Sequence, residues 1–103
     1  MSDEAVDKMK AFFEKHDDEH GRFERVPAER RLSQRSELHA MILLDRLVPG
    51  DSEMIISPHY DGGSILDIDL SRLAASANEQ DLLDLIRCGV GIANEMDDFL
   101  YID

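Results

Sequence analysis

The hydrophobic pattern of this 103-residue chain changes period at Pro49-Gly50, and that change limits the fold more than any other feature. Before it, SELHAMILLDRLVP places Leu38, Met41, Ile42, Leu44 and Leu47 at helical spacing. Glu37, Asp45 and Arg46 fall outside that face, and His39 falls beside it, as a structural histidine does. After it, EMIISPHYDGGSILDIDL reads as two short strands, about 53–57 and 64–69, joined around Asp61-Gly62-Gly63. Pro58 has no N–H, so the first strand either ends there or lies at a sheet edge. In the second strand Leu66, Ile68 and Leu70 share one side, and Ile65, Asp67 and Asp69 the other.

The helical period returns on both flanks. Upstream, Ala5, Val6, Met9, Phe12 and Phe13 form a stripe that predicts a helix over about 3–17, with Ser2 as its cap and Gly21 as its limit. Residues 18–33 read as an irregular, charged connector with Phe23 and Val26 as anchors, because Pro27 interrupts any helix through it. Downstream, Asp69 caps a helix over about 70–76, and Asn78 with Asp81 spells a capping box for another that Gly89 ends. Leu82, Leu83, Leu85 and Ile86 fill its buried side. Residues 90–93 and 99–102 then predict a second hairpin around 94–98. The order is ααββααββ, an α+β fold in which residues 1–103 make one compact acidic domain with a small antiparallel sheet covered by helices.

Charge narrows the partners. Lys and Arg number 11 against 23 Asp and Glu, a net of −12. Residues 1–49 carry 9 basic and 11 acidic side chains, whereas residues 50–103 carry 2 basic and 12 acidic. The second half alone thus has a net charge of −10. Direct binding to nucleic acid or to an anionic membrane is disfavoured, and a basic protein partner is favoured. The only basic patch is Arg22, Arg25, Arg30, Arg31 and Arg35, interleaved with Glu24, Glu29 and Glu37 as a salt-bridged surface would be. Its functional alternative is contact with an anion or an acidic partner. No apolar run approaches 18 residues and the N-terminus is acidic, so neither a membrane span nor a secretion signal is expected. With Cys88 alone, no intramolecular disulfide can form, which fits a cytoplasmic protein.

Three motifs bear on chemistry. His16-Asp17-Asp18-Glu19-His20 matches the H-x-x-E-H spelling of a zinc peptidase, but it sits where a helix runs out before Gly21 with no apolar residue to bury a site. His59, Asp61, Asp67 and Asp69 could gather across a hairpin to bind a metal or do acid–base work. The simpler reading leaves Asp67 on a solvated face and Asp69 as a cap. Cys88 follows a helix C-terminus, where the dipole raises a thiol pKa, so it reads as a small buried side chain. No catalytic residue, resident metal or cofactor is expected.

The segments LHAMILLDRLVP (38–49) and DLIRCGV (84–90), with LDIDLSRLA between them, resemble small acidic proteins encoded by bacteriophages and prophages. The similarity covers roughly residues 10–90, and the last dozen residues depart from it. The resemblance implies expression inside a bacterial cell and carries over no catalytic residue. With the charge, it leads to the expectation of a non-enzymatic inhibitor of a bacterial defence protein, in the anti-CRISPR or anti-restriction sense. Its acidic C-terminal half would occupy a basic nucleic-acid-binding surface through Asp67, Asp69, Asp81, Asp84, Asp97 and Asp98. The alternatives are a structural or accessory module, with a homodimer open, and a small metal-binding protein or enzyme built on the His59 set.

Overall fold

The computed structural model of the protein describes residues 4–51, 55–60, 63–94 and 98–102, with side chains outside the description at 55–60, 63, 94 and 98. The elements follow in the expected order. Helices α1 (Glu4–Lys15) and α2 (Ser36–Leu47) come first, then strands β1 (Ile55–Tyr60) and β2 (Gly63–Leu66). Helices α3 (Leu70–Ser76) and α4 (Glu79–Arg87) follow, and strands β3 (Val90–Asn94) and β4 (Asp98–Ile102) close the chain. The radius of gyration, 12.7 Å, is what a single compact unit of this length has.

The four strands form one antiparallel sheet in the order β1-β2-β4-β3. The two hairpins are therefore joined through β2 and β4, with Ser64 opposite Ile102 and Leu66 opposite Leu100. On one side of the sheet Leu66, Val90, Leu100 and Ile102 are buried. Against them the core gathers Met9 and Phe13 of α1, Ala40 and Leu44 of α2, Leu73 of α3, and Leu82, Leu85 and Ile86 of α4. Each large aliphatic side chain removed from water in this layer contributes roughly 1.5–3 kcal/mol. On the other side Ile65, Ala93, Phe99 and Tyr101 are only partly buried. Tyr101 lies across Gly91, its register partner, so closely that a Cβ at Gly91 would sit 2.5 Å from the ring.

Local chemistry explains the element ends. The Asp69 carboxylate accepts hydrogen bonds from the Ser71 and Arg72 N–H groups and opens α3. Asn78 and Asp81 form the reciprocal capping box of α4. Gly89 takes a φ of +92°, which frees the chain to leave α4 and enter β3 at once. Edge position, rather than termination, accommodates Pro58: β1 is an outer strand and runs through it, with register irregularities on either side of Ser57.

Two expectations shift. The strands lie at 55–60 and 63–66, so 67–69 is a connection into α3 and the alternation carried too far along the chain. More consequentially, α2 is rotated from its predicted face. His39, Ala40 and Leu44 are buried, while Leu38 and Ile42 are 46% and 36% exposed. Apolar residues at 38, 41, 42, 43, 44 and 47 surround most of this helix, and tertiary packing selects which side goes inward.

Candidate functional site

The connector between α1 and α2 contains three short 3-10 turns, Asp17–Glu19, Phe23–Arg25 and Ala28–Arg30, the first two packed on α4. Val26 is buried and Phe23 packs against the core, as anchors should. The interleaving suggested pairing with Glu24, Glu29 and Glu37, but among the described residues the arginines' ion pairs go to Glu19 and Asp84 instead. Arg25 donates to Glu19 at 2.8 Å, and Arg87 Nε lies 3.5 Å from the same carboxylate. Arg31 donates to the Val26 and Phe23 carbonyls with its guanidinium 4.7 Å from the Phe23 ring centre. Arg30 grips Asp84 with two donors, Nη2 to Oδ1 at 3.0 Å and Nε to Oδ2 at 3.4 Å.

That last contact corrects the expected interface. Asp84 is 5% exposed, inside an ion pair and accepting a further hydrogen bond from Gln80, so it cannot form part of an outward acidic surface. Its partner is 54 residues away, beyond the reach of any local pattern. Asp67 and Asp69 are exposed, the latter also capping α3. Asp81 is half-buried at the start of α4 within the capping box. Asp97 lies outside the described residues, as does the Asp98 side chain. The metal alternative is likewise only partly visible, because Asp61 and the His59 side chain lie outside the description. Among the described residues no three His, Cys, Asp or Glu side chains group to hold an ion.

The HDDEH segment takes a form that the peptidase spelling cannot use. Helix α1 ends at Lys15, so His16 and His20 do not share a helix face. His16 lies tilted against Phe12 with ring centres 4.3 Å apart, and His20 lies 6.3 Å from the Tyr101 ring. Glu19, the would-be catalytic carboxylate, faces two arginines. The hydrogen bond from Arg25 holds its carboxyl below the usual range despite partial desolvation, and Arg87 adds to the effect. Cys88 is buried as expected, and burial pushes its thiol pKa up to about 12, reinforced by Asp84 and Glu37.

Two concavities and one knob stand out among the described residues. A cleft of about 130 Å³ brings Lys10, Glu14, Asp17 and His20 beside Tyr101. It is smaller than the roughly 300–1,000 Å³ of ordinary small-molecule sites. A shallower groove of about 430 Å³ runs between α1 and the α3–α4 junction, lined by Met9, Phe12, Ala74 and Leu82, with Lys8 and Glu79 also bordering it. On α2, Leu38 and Ile42 stand one turn apart and exposed, with Glu37 and Asp45 exposed nearby. Composition and periodicity missed this outward pair because both residues fit a buried stripe equally well. No helix among the described residues is long and apolar enough to cross a membrane. No protein-family model, curated protein or solved structure matches the chain.

Proposed function

We propose that the protein is a non-enzymatic, phage-type inhibitor that binds a basic, nucleic-acid-binding surface of a bacterial defence protein. One observation carries this reading. Five of the chain's cations, Arg25, Arg30, Arg31, Arg72 and Arg87, are engaged by carboxylates or carbonyls of the protein itself. Hydrogen bonds and ion pairs among the described residues likewise engage five carboxylates, Glu19, Glu37, Asp69, Asp81 and Asp84. Equal numbers engaged on each side leave the larger acid total, 23 against 11, in excess, and exposed acids such as Asp17, Asp18, Asp67 and Glu79 carry the outward field. The resemblance of 38–49 and 84–90 to phage-encoded proteins supports the cellular setting. The revised surface omits Asp84 and retains Asp67, Asp69 and Asp81.

Electrostatic binding of this kind is screened by salt. The test is capture of basic, nucleic-acid-binding host proteins by the tagged protein at low and high salt, with and without charge reversal at Asp67 and Glu79. Salt-labile capture that is lost in the reversed variant, and that competes with duplex DNA, supports the reading. Capture unaffected by charge reversal refutes it. A second reading, a homodimeric accessory module, is favoured by the exposed Leu38–Ile42 pair. An elution volume matching twice the 11.7 kDa chain mass, and reverting in Leu38→Ser, would favour it.

A further inference from the structure

We propose that His39 is an acid-operated latch for the connector: a second ring proton turns Nδ1 from the acceptor of the Leu32 N–H into a donor facing it, and the segment around Leu32 separates from α2.

The geometry fixes the starting state. His39 is 1% exposed on the inward side of α2, and its Nδ1 accepts the Leu32 N–H at 2.9 Å. A nitrogen that accepts carries no proton, so the ring is neutral with its hydrogen on Nε2. Nε2 has no hydrogen-bond partner among the described residues. Leu32 is the last connector residue held this way, immediately after Arg30 on Asp84 and Arg31 on Phe23. The Phe23 ring also lies against His39, with centres 5.7 Å apart. Beside the Arg30–Asp84 pair on α4, a bond to a titratable acceptor therefore ties this end of the connector to α2.

The groups around the ring set the direction. Burial disfavours the imidazolium and lowers the pKa from 6.5; Asp84 of α4 opposes this, while Arg30 and Arg31 of the connector add to it. Asp84 offers little relief, because both its oxygens already accept from Arg30 and one also accepts from Gln80. Once the connector lifts, His39 meets water and titrates near 6.5. Below that pH the open form holds one proton more than the closed form, so acid favours opening. The opening constant then rises by up to about tenfold for each pH unit. The other end of the connector is tied differently, by the Gly21 N–H on the Ile86 carbonyl at 3.0 Å and by Glu19 on two arginines. It stays attached in this range.

Amide hydrogen exchange of the full chain, corrected for intrinsic rates between about pH 7 and pH 5, tests the latch. The expected result is a Leu32 opening constant that climbs several-fold per pH unit below about 6.5, with Gly21 unchanged. In His39→Asn the side-chain oxygen accepts at every pH, and the climb should vanish. A flat Leu32 profile in the native chain, an equal climb in His39→Asn, or a parallel climb at Gly21 would overturn the proposal. Should His39→Asn fail to fold, ring nitrogen NMR of the native chain decides. Protonation on Nε2 at neutral pH with a midpoint below 6.5 supports the latch, and a proton on Nδ1 or a midpoint at or above 6.5 refutes it.

Discussion

On one side of α4, Leu82, Leu85 and Ile86 press into the helix–sheet core; elsewhere on the same helix, Asp84 and Arg87 hold the connector through ion pairs and carbonyls. The first contact is broad, non-directional and insensitive to pH. The second depends on a few atoms in fixed positions, several of them ionisable. A domain whose core is mostly aliphatic can keep a stable framework and still carry a segment that opens on its own, because the two are held by different forces.

Breaking the core side should have the largest effect. Leu100 is fully buried between β2 and β3, and Leu100→Ala should cost about 2–5 kcal/mol in urea unfolding, lowering the midpoint for core and connector together. Breaking the connector side should cost less and act locally. Asp84→Asn removes the carboxylate from Arg30, whose side chain is 37% exposed and can turn to water. A loss of about 1–2 kcal/mol is expected, with faster proteolysis at Arg30 or Arg31 and little change in β4 amide protection.

The pH dependence of the Glu19 contact sharpens the contrast further. Its folded carboxyl titrates below the ordinary 4.5, chiefly through Arg25, so its contribution is present above that value and is lost as pH falls through the folded pKa. Proteolysis within 21–26 should therefore increase only in stronger acid than opening at Leu32, and Glu19→Gln should remove the dependence. The smallest effect belongs to the outward face of α2. Leu38→Ala, at a site 46% exposed, should change stability by less than about 0.5 kcal/mol, as circular dichroism melting would report.

Features governed by neighbours along the chain were legible in the sequence. The Asp69 cap, the Asn78–Asp81 box, the Gly89 stop and the second hairpin all depend on residues within a few positions, and each forms. The missing N–H of Pro58 left a strand end or a sheet edge open, and the fold takes the edge. Features decided across the fold were not legible. The face of α2 was ambiguous because leucine, isoleucine and methionine occupy nearly its whole circumference, and a histidine took the buried place that Leu38 was expected to hold. The six carboxylates grouped as one surface had similar sequence surroundings. Only the fold distinguishes Asp84, buried on Arg30, from Asp67, left in water.

Strand β1 is one of the two outer strands of the sheet. An exposed outer strand invites recruitment of another chain, rung by rung, toward fibrils. Here the strand contains a proline and a broken register, so the template it offers to an incoming segment lacks a donor and is uneven in spacing. Replacing Pro58 could leave the native contacts intact and yet shorten the time the protein stays in solution at high concentration.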